Sequence, residues 1–78
     1  MLTLFTARVD HLSAPDRDDA IDDLANALHD EFPAYIVSNV MQAGAFAAIL
    51  VATLKPSTPA PVKLNGWGHG PLKLSLVG

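Results

Sequence analysis

The stretch that most constrains this chain is Ser13 to Phe32, SAPDRDDAIDDLANALHDEF. At about 100° per residue, Ile21, Leu24, Ala25, Leu28 and Phe32 fall within one arc, the width of a stripe that packs on a core. Asp16, Asp18, Asp19, Asp22, Asp23, His29 and Asp30 fill the opposite side. Ser13 followed three residues later by Asp16 has the spacing of a capping box, and Pro15 in the first turn sacrifices no hydrogen bond. The early aspartates suit the positive end of the helix dipole, whereas Asp30 and Glu31 sit at its negative end against helix stability. Pro33 ends the segment, because the residue before a proline avoids the α region. One amphipathic acidic helix is predicted over 13–32.

Such a helix needs an apolar surface to lie on, and the rest of the chain reads as strands. Leu2 to Val9 alternates imperfectly, with Phe5, Ala7 and Val9 on one side and Leu2, Leu4, Thr6 and Arg8 on the other. Ala34 to Gln42 is rich in β-formers, and Ala45 to Leu54 is apolar on both faces. With Ala43-Gly44 as a tight connection, 34–54 reads as a β-hairpin whose second strand is the centre of the sheet. Tyr35, Asn39 and Met41 are expected on one strand face, for packing or an interface. Residues 55–61 form a proline-rich connection too stiff to extend the strand. The tail, 62–77, reads as a second hairpin: Val62 and Leu64 flank Lys63, and Leu72, Leu74 and Leu76 alternate with Lys73 and Ser75 around the loop NGWGHG.

The predicted fold is therefore a single small α+β domain over 1–78. Its order is β-α-β-β plus a C-terminal β-hairpin, with one helix packed on a mainly antiparallel sheet. One helix covers one sheet face, so the other calls for the C-terminal segment or a second subunit. That is the ground for expecting a homo-oligomer. A rival reading takes Ala34 to Leu54, 21 residues without a charge, as a membrane span. Ser38, Asn39 and Gln42 interrupt it, and the strictly apolar run from Ala43 to Leu54 is about half a span, so no membrane partner is expected.

Composition narrows the classes further. At 78 residues the chain is near the lower size at which a core suffices without staples, and it has no cysteine for a disulfide, a thiolate metal site or a thiol nucleophile. With 50% hydrophobic and 17% charged residues it is not a disordered composition. The start MLTLFTARVD lacks the basic flank and long apolar run of a signal peptide, from which a cytoplasmic address is expected.

Charge is divided along the chain. All eight acids lie between Asp10 and Glu31 with Arg17 among them, which makes −7; Arg8, Lys55, Lys63 and Lys73 elsewhere make +4, for the net −3. So few basic residues argue against direct nucleic-acid binding, which needs clustered Lys and Arg. The acidic helix face is either a solvated surface that keeps an apolar chain in solution or a docking face for a basic partner. Self-association of the acidic face with the basic remainder of a neighbour is a third use of it. Calcium is not expected, since these aspartates are helical and the glycine and distal glutamate of a calcium loop are missing.

The loop NGWGHGP is the other candidate. Asn65, Trp67 and His69 between alternating glycines could hold a small ligand by stacking and hydrogen bonding. The plainer reading is a turn whose Trp67 folds back over the sheet. Its glycine spacing is not that of a phosphate loop. His11, His29 and His69 show no paired metal-ligand spacing, and Ser13, Ser38, Ser57 and Ser75 have no nucleophile-elbow context.

The expected protein is not an enzyme and uses no cofactor or metal. It is a small acidic interaction module that binds a larger partner with a basic surface through Asp16, Asp19, Asp22, Asp23 and Asp30. It would modulate or inhibit that partner in the manner of small inhibitors encoded by phages and other mobile elements. The alternatives are a homo-oligomeric small-molecule binder using Trp67, His69 and Asn65, and a structural assembly subunit.

Overall fold

The computed structural model describes residues 2–77, Asn39 by its backbone alone. The order is β1 (Leu2–Arg8), α1 (Ala14–Glu31), β2 (Tyr35–Ala43), β3 (Phe46–Thr53), a 3-10 turn (Pro61–Leu64), β4 (Gly68–His69), β5 (Leu72–Lys73) and β6 (Ser75–Leu76). One helix packs on a mainly antiparallel sheet, the predicted α+β class.

The main sheet has the order β2-β3-β1-β6. β3 pairs antiparallel with both β1 and β2, so β1 and β2 run parallel to each other with β3 between them, and α1 is the crossover that joins them. The β2–β3 hairpin closes at the pair Ala43 and Phe46 through a two-residue turn, Gly44-Ala45. Gly44 takes φ 59° there, which a side-chain-free residue adopts without strain.

Helix α1 begins one residue after Ser13 and ends at Glu31, where the Phe32 N–H donates to Leu28 O at 2.8 Å. Ala20, Ile21, Leu24 and Leu28 are buried on the sheet, while Ala25 and Phe32 are half-buried at the margins of the stripe. Leu24 and Leu28, 1% and 0% exposed, each contribute on the order of 1.5–3 kcal/mol by leaving water. The start differs from a capping box. The Ser13 Oγ–H donates to the Asp16 carboxylate at 2.8 Å, and neither side chain caps a backbone N–H.

Arg17 anchors that end of the helix instead. Its Nε–H is shared between the Val9 and Leu12 carbonyls, both at 2.9 Å, so the turn leaving β1 is tied to the first turn of α1.

The tail departs from the expected long hairpin. Val62 and Leu64 lie in the 3-10 turn rather than a strand, because Pro61 supplies no N–H for a ladder and fits the first position of a helical turn. The remaining hairpin is the two-residue pair β4–β5, and Ser75–Leu76 leaves it to join the main sheet beside β1.

The tail also settles which face of the sheet is covered. Leu64, Leu72 and Leu74 are buried in the same cluster as Phe5, Ile49 and Leu24, so tail and helix share one face. The chain is 19 Å across its shortest axis, room for a sheet and one layer upon it. β3 is central in the sheet as expected, but its second face is only half-buried at Ala48, Leu50 and Ala52. Leu2, Met41 and Phe46 stand on that open face at 62%, 61% and 50% exposure.

Tyr35 and Met41 do not share a face. A register shift between Val37 and Asn39 inserts one extra residue into β2, so Tyr35 is buried under the helix layer and Met41 points to the open side. The Asn39 side chain, expected beside them, lies outside the described residues.

Candidate functional site

The carboxylates of α1 are placed by the stripe that buries its other side. Asp16, Asp18, Asp19, Asp22, Asp23, Asp30 and Glu31 are all exposed. Among the described residues the one ion pair is elsewhere: the Arg8 guanidinium donates to both Asp10 oxygens, at 2.6 and 3.1 Å. That side-chain hydrogen bond holds the Asp10 carboxyl below the usual carboxylate range and raises Arg8 above the usual guanidinium range. The helix carboxylates thus make a field of like charge that forms no ion pair with a cation among the described residues.

The structure divides this field. Asp18 and Asp22, one helical turn apart, form one rim of a groove of about 430 Å³ between α1 and β2. Ile21 and Ala25 line its helix side, and Val40 and Gln42 its strand side. Asp19, Asp23 and Asp30 fall around the helix from that rim, facing solvent. Asp16 sits at the start of the helix with Ser13. Of the five carboxylates singled out in the sequence, Asp22 alone borders the groove; Asp18, counted there only as part of the polar side, is its companion.

The glycine-rich loop is used within the fold. Trp67 is half-buried, with its ring edge-on to Phe32 at 5.9 Å and stacked on His69 at 6.4 Å with a 16° interplanar angle. Its backbone is paired twice: Trp67 N–H to Leu64 O at 2.9 Å, and Leu74 N–H to Trp67 O at 2.8 Å. The Asn65 side-chain oxygen accepts from Leu76 N–H at 2.9 Å and so holds the end of β6. Gly68 is required by contact, since a Cβ there would meet Leu72 O at 2.9 Å. Lys63 lies over the rings of Phe32 and Tyr35, 5.7 and 5.5 Å from their centroids, a cation–π contact invisible in the sequence.

A second groove, of about 330 Å³, carries the cations Arg8 and Lys73 and is lined also by His11, Thr6, Ser75, Phe46 and Pro71. His11 Nε2 donates to Pro71 O at 3.0 Å, a geometry that assigns the proton to that nitrogen because a carbonyl can only accept. Thr6 and Ser75 meet there because they are register partners across β1 and β6. Neither groove is lined by Trp67, His69 or Asn65. No cluster of three or more His, Asp or Glu side chains able to hold a metal ion occurs among the described residues, and no helix among them is long and apolar enough to cross a membrane. Compared with protein families, curated proteins and solved structures, the chain matches none.

Proposed function

We propose that this protein is a small, non-catalytic interaction module that docks a larger protein through its acidic helix and modulates it. The observation that carries the reading is the uncompensated helix surface, seven exposed carboxylates with no ion pair to any cation among the described residues. A surface of one sign attracts and orients a partner of the other sign over about a Debye length, 8–10 Å at ordinary salt. Residues tied up in internal ion pairs could not do this.

A homodimer belongs to the same proposal. Leu2, Leu4, Met41 and Phe46 leave one face of the sheet apolar and uncovered, and two such faces packed together would make a sandwich with sheets about 10 Å apart.

The test is native mass spectrometry of the protein purified gently from its own host. The wild type is expected as a dimer that retains a protein with a basic surface. The variant Asp19→Lys/Asp22→Lys/Asp23→Lys, folded by circular dichroism, is expected to release that protein; retention would sink the docking surface. Leu4→Lys/Phe46→Lys is expected to give monomer in sedimentation equilibrium. A wild type that is monomeric at about 100 μM, above the range of a specific dimer, would remove the dimer.

A further inference from the structure

The outer edge of β2 carries a more specific reading of the same docking activity, one that rests on the proposal above. β2 is the end strand of the main sheet, so alternate residues along it present backbone N–H and C=O groups that no strand among the described residues takes up. Edge strands are ordinarily protected by a charge, a proline or shortness. β2 runs nine residues, YIVSNVMQA, with neither a charge nor a proline. Its one irregularity is the register shift after Val37, which leaves 39–43 a regular run paired residue for residue with β3. Alongside that run lies the groove rimmed by Asp18 and Asp22 and floored by Ile21, Ala25 and Val40.

We infer that the β2 edge and the α1–β2 groove together bind an extended segment of the partner protein as an added strand, one whose side chains alternate between cationic and apolar. Side chains of an added strand alternate across the sheet. Those on the helix side fall over the groove, where the long apolar stems of Lys or Arg cover Ile21 and Val40 while their charges meet Asp18 and Asp22. Those between them fall on the open face beside Met41 and extend its apolar surface. The two rims of the site thus ask for opposite characters at successive positions.

Charge also decides against a second copy of the chain as the occupant. Pairing two β2 edges about a two-fold axis keeps both helices on one side of the joined sheet. It brings the Asp18 and Asp22 rows of the two copies towards each other, a like-charge arrangement that opposes the pairing.

The experiment titrates 15N-labelled full-length protein with the acetylated, amidated heptapeptide Val-Lys-Val-Lys-Val-Lys-Val. Amide shifts are expected to group on 39–43 and on 18–25, with exchange of alternate β2 amides slowed. Asp18→Lys/Asp22→Lys should weaken binding about tenfold more than Asp19→Lys/Asp23→Lys, which changes the net charge equally. The same peptide with its backbone nitrogens methylated keeps its charges and loses its donors, and it should not bind. Equal binding by the methylated peptide, or shifts confined to Asp19, Asp23 and Asp30, overturns strand addition and leaves acidic docking standing. No binding of the heptapeptide overturns it as well, while capture of the basic partner decides the broader reading separately. β2 amides protected in proportion to protein concentration without peptide would identify a second copy as the occupant and overturn it too.

Discussion

Val37 and Val40 stand on the same face of β2, three positions apart, where an unbroken strand would put them on opposite faces. Their partners on β3 are Val51 and Ile49, both buried beneath the helix layer. The extra residue between them lets Tyr35 and Val37 face inwards by odd numbers and Val40 and Gln42 by even ones. Ser38 Oγ steadies the irregularity by donating to Leu50 O at 3.1 Å.

Deleting Ser38 should restore a single period. Tyr35 resists turning out, because it is 2% exposed and its hydroxyl donates to Pro59 O at 2.8 Å. With Ser38 gone, Asn39 follows Val37 directly, so 39–43 keep their register on β3, Val40 stays on the helix side and Met41 stays on the open face. The change in urea unfolding is expected to stay within about 1 kcal/mol, because the register is kept and the exposed Ser38 hydrogen bond is what is lost. Retained Val40–Ile21 nuclear Overhauser contacts would confirm the regular strand, and new Met41–Ile21 contacts would refute it.

Arg17 is worth more to the fold than its charge suggests. Replacing it by Met keeps most of the apolar stem but leaves the Val9 and Leu12 carbonyls without their shared donor. A loss of about 1.5–3 kcal/mol is expected, the range for a hydrogen bond from a charged group. Faster amide exchange at 9–17 should accompany it. Equal stability would show that water replaces the guanidinium without cost.

Gly68→Ala sets a Cβ 2.9 Å from a backbone oxygen, Leu72 O, which has little freedom to retreat. The β4–β5 pair should open and Trp67 should leave Phe32. Since Trp67 is the chain's single tryptophan, its fluorescence reads the event directly, and a red shift is expected. Unchanged emission would mean that the short hairpin shifts as a body and keeps the ring contact.

Asp10 makes a small, signed contribution to pH dependence. Its carboxyl is held low by the hydrogen bond from Arg8, so the stabilisation is present above the unfolded-state pKa of about 3.9 and is lost as pH falls through the lower folded value. Asp10→Asn should therefore unfold at a lower temperature than the wild type at neutral pH, with the two curves converging once the pH falls below the folded-state value. The difference should shrink with salt because the pair is exposed. A gap that persists at low pH would assign the effect to something other than this ion pair.

Much of this architecture is legible in the residues alone because its causes are local. The 3.6-residue stripe through Ile21, Leu24 and Leu28 specifies a helix and the face it buries, and Pro33 specifies its end. Gly44 between two apolar β-forming runs specifies a hairpin. The acid content of α1 is likewise a matter of sequence, since charged side chains on a helix opposite its buried stripe have nowhere to go but solvent.

What tertiary structure alone decided are relations between distant segments. Whether Val62–Leu64 pairs as a strand or coils as a turn depends on how the tail reaches the core, and burial of Leu64, Leu72 and Leu74 beside Phe5 and Leu24 decided it. That choice put helix and tail on one face and left Leu2, Met41 and Phe46 uncovered on the other. The bulge that turned Val40 towards Asp18 and Asp22 has no signature in YIVSNVMQA, because an extra residue in one strand shows only against the register of its neighbour. Local periodicity is written in the chain; which faces meet is set by the competition of all apolar surfaces for one core.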